Sequence, residues 1–431
     1  MQAFVVGHAS HPDASLALAL AAAHIDAQLA ARQPAFVATL GIVYLSDRLA
    51  DQAEALLSGV QRRWPGLQWV GNVGIGVIAG GTEYFDEPAL VLMLCALPAG
   101  SFQLFSGRQP LVASNSTASD SAASDSAAGR DARPGSGSRG FRGFQPHTAL
   151  VHADPATHDL DDLLVELAAR TDSGYLFGGL GGSRTRRPHI ADGVFEGGLS
   201  GVAFASPVAA PGLRLLSRVS QGCQPLGPTR RLTAADGNVA LTLDDQPALD
   251  LLLTELQVSL QQPEQAIAAL RQTLIGLTAG DGPALARGGQ FGADTLVRHL
   301  IGIDPARQGI AVAETLQVGQ HFAFCRRNVA AARRDLVRIC AELREELETE
   351  PALNPAAVPI AGPVTGPRIV GAVYVSCSGR GGPHFGGPSA EAQIVQQALG
   401  EVPLVGFFAG GEIGHHHLYG YTGVLTVFVA D

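Results

Sequence analysis

Close to the C-terminus the sequence reads "PLVGFFAGGEIGHHHLYGYTGVLTVFVAD", with a lone acid, Glu412, after the glycine pair Gly410 and Gly411 and before three consecutive histidines. Carboxylate and imidazole are donors that zinc and ferrous iron accept. On an extended segment side chains alternate between faces, so His415 and His417 would share a side and His416 would point away. No H-E-x-x-H motif accompanies them. A solvated histidine turn is therefore the main expectation, and a metal held by His415 and His417 the weaker one.

A second stretch, "VSCSGRGGPHFGG", spaces Cys377, Arg380 and His384 after an apolar run. The planar guanidinium of Arg380 offers a bidentate fork to a carboxylate or phosphate, and together with Glu412 it would read both ends of a zwitterion. Cys377 beside Arg380, with His384 as base, is the alternative: a thiol nucleophile. The Cys-x-x-Arg spacing is shorter than a phosphatase loop, and a small buried thiol next to a surface arginine is the plain reading. Cys223 lies in "SQGCQPLGP", a loop bounded by proline and glycine at the presumed domain junction, where ligands commonly bind. Gly410, Gly411 and Tyr421 complete the candidate pocket wall. For haem, one axial His or Cys in an apolar cleft suffices, and His299, His321 and Cys325 all sit among apolar residues. No single one stands out, so the expectation is no cofactor, with haem as an alternative.

Composition narrows the chemistry. The 431 residues contain no lysine, so all 29 basic side chains are arginine. Schiff-base chemistry, pyridoxal phosphate attachment and the P-loop and kinase lysines are excluded, because each needs an amine. A formal net charge of −10 disfavours nucleic acid and anionic lipid as partners. Five scattered cysteines, never spaced C-x-x-C, read as free thiols of a reducing compartment. "MQAFVVGHASHPDASLALALAAAHIDAQLAARQ" lacks a basic leader and carries His24, Asp26 and Arg32 in its apolar stretch. It reads as an amphipathic helix capped by Asp13, in a soluble, cytoplasmic protein.

Around these residues a pattern of elements recurs along the chain. "AFVATLGIVYLSD", "RLADQAEALLSGVQRRW", "LQWVGNVGIGVIAGG" and "PALVLMLCAL" read as strand, helix, glycine-punctuated run and strand. The order returns from "TALVHAD" to "GVAFAS" and from "RIVGAVYVSCSGRG" to "YTGVLTVFVA". Three β-α-β-β units of about sixty residues are predicted, with the glycine runs near one end of each sheet, either lining a ligand pocket or serving only tight packing. Residues 112–140, rich in serine, alanine, glycine and aspartate with no apolar side chain larger than alanine after Val112, are expected to be a disordered insertion. In the middle, "RLTAADGNVALTL" signals a hairpin turning at Asp236-Gly237-Asn238. "TEPALNPAAVPIAGPVTGP" reads as a proline-rich linker.

The segments "SQGCQP", "GNVALTLDDQPALDLL", "RHLIGID", "VSCSGRG" and "PLVGFFAGGEIG…LYGYTGVLTVF" resemble the FIST proteins (F-box and intracellular signal transduction) from about Ala35 onward. The resemblance implies a FIST N domain in two parts, 1–111 and 141–225, and a FIST C domain, 226–431. The expected fold is therefore α/β of the mixed α+β kind, two domains of layered sheets and helices. It further implies a bacterial sensory protein that binds a small polar metabolite, amino acids included, and signals to a histidine kinase or cyclase partner, and that is not an enzyme. A haem-based nitric oxide sensor and a thiol-dependent enzyme using Cys377 are the alternatives.

Overall fold

A computed structural model describes residues 3–30, 36–108, 111, 144–207, 213–279, 286–287, 290–292, 295–349 and 366–430. The predicted insertion over 112–140 and nearly all of the proline-rich linker lie outside them.

The three predicted units are present, each with one more hairpin than the sequence suggested. The first runs Leu40–Ser46, helix Ala53–Arg63, Gln68–Gly74, hairpin Gly76–Ala79 and Thr82–Phe85, and closing strand Ala89–Cys95. The second runs Pro146–Ala153, helix Leu160–Ala169, Tyr175–Leu180, hairpin His189–Ala191 and Val194–Phe195, and Leu199–Ala205. The third runs Arg368–Cys377, helix Ala390–Leu399, Leu404–Ala409, hairpin Glu412–His415 and His417–Tyr419, and Thr422–Ala430. In every unit the first two strands pair in parallel around the helix, and the closing strand adds antiparallel beside the first.

The hairpins are exchanged in a cycle. The first unit's hairpin joins the third unit's sheet, the second's joins the first's, and the third's joins the second's. Three six-stranded sheets of identical strand order result, each begun by a lead-in strand: Phe4–Ser10, Phe102–Phe105 or Arg214–Gln221. Apolar residues from all three sheets, among them Phe4, Tyr44, Phe177, Phe204, Phe407 and Phe428, share one central core. The helices cover the outer faces. The glycine-rich segments meet where the units cross: Gly182 N donates to Val73 O, Ile75 N to Phe408 O, and Gly410 N to Leu180 O. A Cβ on Gly182 would stand 2.8 Å from Phe408 O, so this crossing admits backbone and nothing larger.

The N-terminal segment begins with an edge strand, Phe4–Ser10, before the helix Ala14–Ala30. Asp13 caps that helix as expected, its Oδ1 accepting from Ser15 N and Leu16 N. The buried face consists of Ala14, Ala17, Ala21, Ala22 and Ile25, while Leu16 and Leu20 are exposed, so amphipathicity is weak. Close approach is the reason: a Cβ on Gly7 would lie 2.0 Å from Ala21 O.

The second half is a barrel. Strands Arg230–Asp236, Val239–Leu243, Gly309–Val312, Leu296–Asp304, Leu274–Thr278 and His321–Arg327 pair antiparallel in that order, and the last pairs with the first. Closure removes the edges a short sheet would expose. Leu232, Leu243, Ile275, Ile310, Phe322 and Phe324 fill it together with Leu249 and Leu252 of helix Ala248–Leu256. The predicted hairpin is its first, turning at Gly237 with φ 57°. The ring passes into the barrel at strand Cys223–Pro225, which pairs with His321–Arg327. After the barrel, helix Val329–Thr349 packs back on the ring against Arg214–Gln221, and the last unit completes the ring.

Candidate functional site

In each unit a side chain at the end of the first strand, or one residue past it, lies against the chain that enters the closing strand. Ser46 Oγ accepts from Ala89 N at 2.9 Å, and Asp154 Oδ2 from Gly197 N at 3.0 Å. At the matching place in the third unit, the N–H groups of Tyr421 and Gly379 act on the Cys377 thiol and favour its negative form. What lies beyond differs. In the first unit Asp47 and Asp86 are tied by Arg184, with Arg48 also on Asp86. In the second, Asp154 also accepts from Ala156 N, and Thr157 exchanges hydrogen bonds with Gly198. In the third, Ser378, Gly379, Gly410, Gly411 and Gly420 line a cleft of ≈ 450 Å³, roofed by Val297, Arg298, His299, Ala313 and Glu314 of the barrel. It shares Asp161, Arg298, Glu314 and Leu418 with a wider groove of ≈ 950 Å³. The carboxyl ends of a parallel pair are where open α/β layers hold ligands.

Of the predicted residues, Cys377, Gly410, Gly411 and Tyr421 come together on this cleft. Tyr421 has a left-handed backbone, φ 61°, and its hydroxyl reaches across to His299 Nε2 at 2.9 Å. Arg327 lies over its ring at 5.5 Å. Burial pushes the phenol up to about 12, against the Arg327 charge.

Glu412 and Arg380 lie beneath the cleft, not on it. Arg380 is 1 % exposed; its Nε pairs with Glu391 Oε1 at 3.0 Å, and its two Nη atoms bond Ser220 O and Oγ at 2.6 and 2.8 Å. The fork expected to clamp a ligand carboxylate is thus occupied within the protein, tying the third unit to the strand that leads into the barrel. Glu391 also accepts from Tyr374 and Ser376, which satisfies the buried pair. Glu412 has no exposure, and its Oε2 accepts from Thr422 N and Oγ1 at 3.1 and 2.7 Å. Burial raises it to about 8, with Thr422 and Arg380 opposing. The zwitterion-reading pair is therefore not formed at the surface of the cleft.

Cys223 is buried at the ring-to-barrel crossing in a small cluster with Cys325, Leu274, Phe291, Val297 and Ala323, against which Tyr421 packs. His384, the expected base for Cys377, is lowered by burial and by the charges of Arg327 and Arg380, and Glu412 is the carboxyl that acts on the thiol instead. The histidine triplet forms a tight turn: Gly414 pairs with His417, and His415 has φ 55°. Strand alternation therefore does not apply. His415 packs on Tyr175 at 4.3 Å between ring centroids, whereas His417 lies beside His416 at 4.0 Å. Among the described residues no three His, Cys, Asp or Glu side chains are grouped to hold a metal ion. Of the haem candidates, His299 is engaged through Nε2 by Tyr421 beside the Arg298–Glu314 ion pair, and Cys325 is enclosed in its cluster. No described helix is long and apolar enough to cross a membrane.

The model of the FIST N domain matches residues 39–246, and that of the FIST C domain residues 248–415. The chain belongs to the FIST family. It is 32% identical over 434 residues to the uncharacterized protein Rv0628c of Mycobacterium tuberculosis, covering 98% of this chain and 99% of that one. It is also 32% identical over 440 residues to the uncharacterized protein Mb0898c of Mycobacterium bovis, covering 99% and 98%. The FIST domains mark a signal-transduction, sensory family. In this FIST protein both walls of the cleft come mainly from the FIST C domain, with Asp161 contributed by FIST N; Leu418 to Tyr421 lie just past the matched residues. Sequence reasoning named His299 only as a haem candidate and missed the barrel's Arg298 and Glu314. The one signal was the run "VRHLIG", where charged and aromatic residues interrupt a strand.

Proposed function

We propose that this FIST protein is a sensor in which a small polar metabolite binds between ring and barrel at the carboxyl ends of Arg368–Cys377 and Leu404–Ala409. One observation carries the reading: of three alike strand ends, the first two are closed by carboxylate ties and the third opens into the cleft. The lining suits a ligand with both donors and acceptors: exposed backbone at the glycines, the Tyr421–His299 pair and the Arg298–Glu314 pair, with mixed charge at the rim. Amino acids and short hydroxy acids are the class that fits. The thiol is held protonated by its burial, which favours binding over turnover at Cys377.

Signal output follows from the junction. The barrel enters at Gly222 and leaves at Asn328, and Asn328 N donates to Gly222 O, so two neighbouring crossings form a hinge. A ligand bridging ring and barrel would favour the closed arrangement, which a kinase or cyclase partner would recognise. Calorimetric titration with a panel of amino acids and small organic acids tests this, using the wild type and Gly420→Leu. A Cβ at Gly420 meets Val297 O at an unstrained 3.6 Å, so the larger side chain occupies the cleft without breaking the backbone. Binding by the wild type that is lost in Gly420→Leu supports the site. Equal binding by both places the ligand elsewhere.

A further inference from the structure

The cleft floor holds a thiol and a carboxyl that metabolite binding does not use. Cys377 lines the cleft; Cys95, Cys223, Cys325 and Cys340 are buried away from it. Beneath it, Glu412 has one oxygen, Oε2, on Thr422, while Oε1 makes no hydrogen bond of ordinary geometry. A fully buried carboxyl oxygen seldom stays unpartnered. Two titratable neighbours act on this carboxyl: the Cys377 thiol, and Arg380, whose own charge is matched by Glu391. The sulfur in turn faces two backbone N–H donors, Gly379 and Tyr421. Such a pair of amides holds negative charge in place, as an oxyanion hole does. Ser46 and Asp154 occupy the matching positions in the other two units, so the thiol is peculiar to the end that opens.

We propose that Cys377 and Glu412 form a nucleophile–base pair that captures soft electrophiles of the α,β-unsaturated carbonyl class entering the cleft. The Cys377 S–H bond breaks and its proton passes to Glu412 Oε1. The sulfur electron pair forms a C–S bond to the β-carbon, and the C=C pair moves toward the carbonyl as an enolate. The α-carbon then takes the proton back from Glu412, leaving a thioether and the carboxyl as it began. No oxidant or second reactant is consumed. The amides of Gly379 and Tyr421 hold the charge on sulfur during the step.

Burial raises the thiol and keeps it protonated at neutral pH, where Glu412 also still holds its proton; the Glu412 charge adds to this as it forms, against the two amide donors. The base form of Glu412 accumulates as pH rises through about 8. Capture should therefore speed up across that range and level off above it. This site is independent of the metabolite-binding reading, since it needs only access to Cys377.

The test treats the full-length protein with N-ethylmaleimide, follows intact mass over time and maps the adduct. A first adduct on Cys377 is expected, with a rate that bends near pH 8, and Cys377→Ser should lose that adduct. Glu412→Gln, which keeps an acceptor for Thr422, should react about a hundredfold more slowly and without the bend. A first adduct on another cysteine overturns the proposal, as does Glu412→Gln reacting at the wild-type rate. Should Glu412→Gln fail to fold, the wild-type profile decides: a rate that climbs steadily with no bend near pH 8 also overturns it.

Discussion

The second and third units share strand order, helix placement and the same backbone capture at the end of the first strand, yet one ends closed and the other open. In the second, Asp154 spends its carboxylate on Gly197 N and Ala156 N, and Thr157 fastens Gly198. In the third, Cys377 makes the matching capture with a weak acceptor, and glycines stand where the ties would be. The charges of the third unit have moved below the floor, into the Arg380–Glu391 pair and Glu412. A repeated scaffold thus gains a site by losing its surface ties in one copy and supporting that copy from beneath.

If the support lies beneath, breaking it should cost most. Glu391→Ala leaves Arg380 buried without its partner, and a loss of about 3–5 kcal/mol is expected in urea unfolding. A loss under about 1 kcal/mol would mean that the open end does not depend on this pair. Next comes Glu412. Its folded value, about 8, lies above its ordinary 4.5, so the folded state holds the proton more tightly than the unfolded one. Stability is then fully present below about pH 4.5 and falls as pH rises toward 8. Glu412→Gln should flatten that decline in thermal unfolding measured from pH 5 to about pH 9. An unchanged slope would show that the carboxyl titrates as if exposed. Third, Asp154→Ala removes two hydrogen bonds to a charged acceptor at the closed end, and about 1–3 kcal/mol should be lost. Cys377→Ala, which removes a weaker acceptor, should cost less, and the reverse order would undo the contrast.

Much of the scaffold was legible because each unit repeats one local pattern: alternating apolar strands, a helix, then glycines. "LQWVGNVGIGVIAGG" shows the limit. Its two halves, Gln68–Gly74 and Gly76–Ala79, belong to different sheets. Which sheet a hairpin joins is decided by partners hundreds of residues away, and no local period records that. Barrel closure between Leu274–Thr278 and His321–Arg327 was hidden for the same reason. At the site, Gly410, Gly411 and Tyr421 were found because glycine runs mark backbone close to a ligand or to another chain segment. Arg380 was misplaced because a sequence displays a charge without its counter-ion. Glu391 stands eleven residues on, inside a helix whose N-terminal Ala392 N is held by Glu83 from the first unit's hairpin, itself pushed up to about 7 by burial.

The smallest effect is expected where the closed end is fastened by exposed charge. Arg48 and Asp86 are both about half exposed, and Arg184 holds Asp86 from the other side. Water and salt screen such a pair, and the long arginine loses rotamer freedom in making it, so Arg48→Ala should cost least of these variants at low salt and less still at high salt. Urea unfolding of Arg48→Ala and Glu391→Ala at two salt concentrations compares the two kinds of fastening directly. The exposed pair should fade with salt while the buried one holds, because ions reach Asp86 but not Glu391. Equal salt sensitivity would place the Arg380–Glu391 pair in contact with solvent, and the third unit's floor would then be no more protected than the first unit's rim.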